Sequence, residues 1–126
     1  LLFSKLLLEG REKQFITADK SDKKQVFFDR GIPDVHAYLE YFKTEYPAVF
    51  IEKSKLYKYG KIFHFSPWKE IHLTDNERYE TFEESKIIDN FLIEAYLDLG
   101  YSIINVPFGS VEERTNFILN SLSCGL

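Results

Sequence analysis

Short apolar runs that do not alternate, set between long stretches of helical periodicity, constrain this chain more than any other feature. Gln25-Val26-Phe27-Phe28, Lys61-Ile62-Phe63-His64-Phe65 and Ser102-Ile103-Ile104-Asn105-Val106 are rich in strand formers. An apolar run without alternation fits a strand buried on both faces, as in a parallel sheet covered by helices. Strands separated by helices imply right-handed crossovers. The expected fold class is therefore α/β with a parallel sheet, in a single domain over residues 1–126. Three strands make a small sheet against the roughly five or six that are usual. The chain also opens directly in a helical pattern and contains no methionine. An N-terminal portion is therefore expected to be missing; the alternative is that modified methionines have dropped out of the sequence.

The helical segments can be placed in turn. Leu2, Phe3, Leu6, Leu7 and Gly10, continued by Gln14, fall at helical spacing and predict a helix over residues 2–18. A polar loop spans residues 19–24. Pro33 suits the first turn of a second helix, whose apolar face is Val35, Tyr38, Leu39 and Phe42. A short helix is expected over residues 47–55, and an irregular stretch or short strand over residues 69–74. Thr74-Asp75-Asn76-Glu77 reads as a capping box opening a charged helix to about Ser85. Ile88, Phe91, Leu92, Ala95, Tyr96 and Leu99 mark a core-facing helix that Gly100 stops. Ser110-Val111-Glu112-Glu113 is a second capping box, opening a last helix to about Leu122.

Composition narrows the function classes. Net charge is −4 with the charges mixed along the chain, which argues against a nucleic-acid partner. No apolar run approaches the length of a membrane span. The single cysteine, Cys124, has no internal disulfide partner, so a reducing, cytoplasmic setting is expected. His36, His64 and His72 show no metal-ligand spacing, and no Gly-rich Lys-Ser/Thr phosphate loop is present.

Three segments carry candidate chemistry. Asp29-Arg30-Gly31 ends the first apolar run, and ligands of open parallel sheets sit at the carboxyl ends of strands. There Asp29 is placed to hold a magnesium-bound water or orient a nucleophile, and Arg30 to grip phosphate oxygens in bidentate fashion. The plain alternative is a solvated turn with an internal Asp–Arg pair. Residues 68–85 form a lid-like segment carrying Arg78, suited to place a cation on a transferring phosphate; the alternative is a solvated amphipathic helix. Pro107-Phe108-Gly109-Ser110 is placed to line a base-binding pocket, or is a strand-to-helix turn.

Taken together, the pieces resemble a family. Val-Phe-Phe-Asp-Arg-Gly-Ile-Pro-Asp over residues 26–34 is similar to the second half of the AAA-type ATPase/kinase-like domains, which are P-loop NTPases. So are residues 63–71, residues 75–84, Leu99-Gly100-Tyr101, and Val106-Pro107 with Val111-Glu112-Glu113-Arg114. The resemblance runs from about Leu6 to Leu119. It implies a P-loop nucleoside-kinase-like three-layer fold whose first strand and phosphate loop are missing from this chain. It further implies ATP and Mg2+ as cofactors. Asp29, Arg30 and Arg78 would be catalytic, with Asp29 reaching the metal through water. Arg78, Pro107 and Phe108 would contact the nucleotide, and Arg30, Asp34 and Trp68 the substrate. The expected function is part of an ATPase or small-molecule kinase-like domain with an unknown phosphoryl acceptor, inactive as this stretch alone. The alternative is a non-catalytic nucleotide-sensing or protein-interaction module, and self-association of the truncated chain is expected through uncovered apolar faces.

Overall fold

A computed structural model describes residues 1–74 and 80–123, the side chains of 72–74 excepted. Most of the chain is helical. The order is α1 (Leu2–Asp19), α2 (Ile32–Tyr41), α3 (Val49–Leu56), β1 (Ile62–His64), α4 (Lys69–Thr74), α5 (Phe82–Asp98), β2 (Ile103–Asn105) and α6 (Val111–Ser123). The two strands pair in parallel, with Ile62 opposite Ile103 and His64 opposite Asn105. The ladder runs one bond further, from Val106 N–H to the His64 carbonyl at 2.9 Å. This architecture is compatible with an α/β domain, reduced among the described residues to a two-stranded sheet under helices.

Packing is centred on α2, seven of whose ten residues are buried. Leu8 from α1, Ile32, Val35 and Leu39 from α2, and Phe50 from α3 form the main apolar cluster. α5 lies along α2 and contributes Ile88, Ala95 and Tyr96 to the interior. Burial of this kind is worth roughly 1.5–3 kcal/mol per large side chain.

Several local expectations hold. Gly100 ends α5 with φ +90°, a conformation glycine adopts without steric cost. Ser110 Oγ accepts from Glu113 N–H at 3.1 Å while Glu113 accepts from Ser110 N–H at 2.8 Å, completing the box before α6.

Others are corrected. Residues 25–28 are not a strand: they form no ladder, and Phe27 is 63% exposed. An apolar run needs a neighbouring strand to become one, and none lies beside it among the described residues. Phe28 is instead held by the rings of Phe15 and Tyr59. On α1 the helically spaced apolar residues do not all face inward. Leu2, Phe3 and Leu6 are exposed, whereas Leu8 is buried and Leu7 packs against the core. Residues 69–74 are a helix rather than an irregular stretch or strand. α5 starts at Phe82, earlier than expected, because Thr81 caps it: Thr81 Oγ1 accepts from Glu84 N–H at 3.1 Å and Glu84 accepts from Thr81 N–H at 3.2 Å. The box expected at Thr74 lies outside the described residues.

Candidate active-site cleft

A cleft of about 1300 Å³ opens beside β1. One wall is residues 24–31, and the other is β1 with the segment after it to Trp68. α5 and α6 also contribute side chains to its lining. Asp29, Arg30, Asp34 and Trp68, all singled out from sequence, line this one space.

At one rim the chain turns sharply. Arg30 sits at φ +74°, a left-handed conformation that costs a non-glycine residue on the order of 1 kcal/mol or more. The turn is held from several sides. Arg11 Nη1 donates to the Gly31 carbonyl at 2.9 Å, and Ile32 N–H donates to the Tyr59 hydroxyl at 3.1 Å. Tyr59 N–H in turn donates to the Tyr101 hydroxyl at 2.8 Å. Asp34 is buried and accepts from Gly31 N–H at 3.1 Å, from Arg30 Nη1 at 3.3 Å, and from the Tyr96 hydroxyl. Burial, reinforced by the Asp34 carboxylate, drives the Tyr96 phenol far above its ordinary range, so it stays a donor. The acidic partner of Arg30 is thus Asp34, one helical turn on. Asp29 is exposed and forms no hydrogen bond among the described residues.

Trp68, also in the lining, stacks on Phe108 with centroids 4.7 Å apart and planes 19° from parallel. The pair joins the segment after β1 to the loop after β2. Arg114, from the first turn of α6, lies over Phe65 at 4.6 Å and over Trp68 at 5.5 Å. Its Nε donates to the Pro107 carbonyl at 3.0 Å. Pro107 and Phe108 therefore join Trp68 and Arg114 in one aromatic corner. Arg78 lies outside the described residues.

At the carboxyl end of β1 stands a group that sequence spacing did not assemble. His64 Nε2 faces Asp89 Oδ1 at 2.7 Å and Nδ1 faces Asn105 Oδ1 at 2.8 Å. Donation through both ring nitrogens requires the imidazolium. The Asp89 bond, opposed by partial burial and aided by Asn105, raises the His64 pKa. The three residues come from β1, α5 and β2, and only the parallel register opposite Asn105 brings them together. Among the described residues, no three His, Cys, Asp or Glu side chains cluster as a metal site. Among them, too, no helix is long and apolar enough to cross a membrane.

No curated protein and no solved structure matches this chain. The family described as AAA domain matches residues 1–114, a span that includes Asp29, Arg30, Asp34, Trp68 and Arg114. With that match covering most of its length, the chain belongs to the AAA domain family of P-loop NTPases.

Proposed function

We propose that this chain supplies the strand-end half of an ATP–magnesium site, in a protein that hydrolyses ATP or passes its terminal phosphoryl group to a small acceptor. The observation that carries this reading is the cleft beside β1, lined by Asp29, Arg30 and Trp68 together. Family membership supplies the chemistry to be looked for there.

The residues fit such a group in a limited way. Asp29 offers a carboxylate free of protein hydrogen bonds among the described residues, as a holder of metal-bound water should. No group of three or more potential protein ligands forms around it among them. That suits Mg2+, which keeps several waters and takes its remaining ligands from substrate phosphates. When bound, the ion would neutralise charge on the transferring phosphoryl group. Arg30 is half-exposed, so its remaining guanidinium donors are available to phosphate oxygens.

The triphosphate grip itself must come from outside residues 1–126, which contain no Gly-rich Lys-Ser/Thr loop. The cleft offers a place for it. β1 pairs with β2 on one edge only, and residues 25–28 are strand formers without a ladder partner. A strand entering between them would carry a phosphate loop to the level of Asp29. On this reading residues 1–126 alone are catalytically silent.

The test is magnesium-dependent ATP turnover by the full protein that carries these residues. Asp29→Asn should lower kcat by about 10²-fold or more without changing the melting temperature. Absence of magnesium-dependent turnover, together with no effect of Asp29→Asn, rules the reading out.

A non-catalytic interaction module is the second reading, favoured by the exposed Leu1, Leu2, Phe3 and Leu6 at the start of the chain. It predicts self-association by light scattering, and a monomer at all concentrations would sink it.

A further inference from the structure

The geometry points to Arg114 as a receptor for a phosphate oxyanion at the carboxyl ends of the two strands. This inference rests on the nucleotide-site reading above for the class of ligand.

Several observations converge on the residue. Its guanidinium is flanked by Phe65, which follows β1, and by Trp68, while its Nε is fixed to the carbonyl of Pro107, which follows β2. Ring faces and the carbonyl together fix the plane of the fork. Nη2 is completely buried, yet among the described residues it has no hydrogen-bond partner. No carboxylate pairs with Arg114 among the described residues, and the nearby Glu113 is committed to Ser110 N–H. Arg114 also lines the same cleft as Asp29 and Arg30.

This arrangement is costly in the fold alone. A cation in the first turn of a helix opposes the helix dipole. A buried donor left unsatisfied costs about 1–3 kcal/mol, and more when the group is charged. An oxyanion offered from the cleft would remove both penalties, since it pairs the charge and accepts from Nη2. A phosphate oxygen suits this role because guanidinium and phosphate match in bidentate geometry. A neutral side chain of similar length would pack against the same rings without either cost, so packing alone does not account for an arginine here.

Because Nη2 is shut off from solvent, an entering oxyanion must shift the groups around it, Trp68 among them. Trp68 is the only tryptophan of the chain, so its emission reads the site directly.

The experiment is a titration of the 126-residue chain with inorganic pyrophosphate, ATP with magnesium, and adenosine, followed by Trp68 fluorescence. Pyrophosphate and ATP should alter the emission and adenosine should not. Arg114→Met should weaken the pyrophosphate response at least tenfold. Arg114→Lys, which keeps the charge and loses the fork, should fall between it and the parent chain. Should Arg114→Met fail to fold, the Lys variant carries the comparison. If Arg114→Met lowers the melting temperature but leaves the pyrophosphate response intact, the residue is a clasp and the assignment falls. It also falls if adenosine reproduces the response, or if neither pyrophosphate nor ATP produces one. The two readings separate cleanly. An Arg114-dependent pyrophosphate response without ATP turnover in the full protein keeps Arg114 and removes the ATPase. Turnover that depends on Asp29, beside an Arg114-independent pyrophosphate response, does the reverse.

Discussion

The Tyr96 hydroxyl donates to the carboxylate of Asp34, 62 residues earlier in the chain, and so ties α5 to the first turn of α2. The same Asp34 oxygen accepts from Gly31 N–H, which makes Tyr96 a brace for the turn that presents Asp29 and Arg30. Tyr96→Phe keeps the ring and removes the donor, leaving a buried carboxylate short of a partner. The expected loss is about 1–3 kcal/mol in chemical denaturation. Asp34→Ala should cost at least as much, because it strips the partners of Tyr96, Gly31 and Arg30 together. A loss below about 0.5 kcal/mol for Tyr96→Phe would show that the bond contributes little to holding the turn.

His64 and His36 should make opposite contributions to stability across neutral pH. The Asp89 hydrogen bond raises the His64 pKa above its ordinary value of 6.5. That stabilisation is fully present below pH 6.5 and is lost as pH rises through the elevated folded-state value. His36 is buried beside Ser54, and burial lowers its pKa below 6.5. Its contribution is present above pH 6.5 and is lost as pH falls through the lowered folded-state value. Unfolding free energies from pH 5 to 9 should therefore show His64→Gln removing a decline on the alkaline side. His36→Gln should remove a decline on the acid side. Parallel curves for His64→Gln and the parent chain would refute the His64 assignment.

What could be read from sequence follows the range of the interactions involved. The Ser110–Glu113 box, the Gly100 stop and the Ile103–Asn105 run depend on neighbours a few residues away, and all three were legible. Residues 25–28 carry the composition of a strand, but a strand is a relation to a second chain segment, and composition does not supply the partner. Leucines recur on several sides of α1, so its periodicity does not select the one bearing Leu8. Asp29, Arg30, Asp34 and Trp68 were found as separate motifs, and the cleft they share is tertiary. The His64–Asp89–Asn105 group and Arg114 among its rings were missed for the same reason. Their partners lie far apart in sequence, and no local pattern announces them.

Thr81 tests a cap that a competing signal concealed. Thr74 and Glu77 offer the same spacing as Thr81 and Glu84, and the earlier box drew the reading. Thr81 Oγ1 accepts from Glu84 N–H, satisfying one of the free donors at the start of α5. Thr81→Ala should destabilise by about 1 kcal/mol, and Thr81→Ser should be nearly neutral. Ser110→Ala before α6 should cost a similar amount, since it breaks the same bond to Glu113. Thermal unfolding of the three variants gives the comparison, and equal stabilities for Thr81→Ala and Thr81→Ser would remove the cap from the account.

Arg30 and Gly31 should respond in opposite ways to exchange between glycine and a larger residue. Arg30 holds φ +74°, so Arg30→Gly releases backbone strain while giving up a half-exposed ion pair worth roughly 0–1 kcal/mol. The expected result is a melting temperature equal to the parent's or higher. Arg30→Ala keeps the strain, loses the same pair and should be less stable than Arg30→Gly. Gly31 has no such freedom. A Cβ there would lie 2.5 Å from the Tyr96 hydroxyl and 3.1 Å from the Tyr59 ring, both held in place by hydrogen bonds. Gly31→Ala must push these rings apart, at an expected cost of about 1–3 kcal/mol. If ATP turnover of the full protein falls for Arg30→Gly while its stability holds, the strained residue is retained for its guanidinium. If both turnover and stability hold, Arg30 has no part in the site.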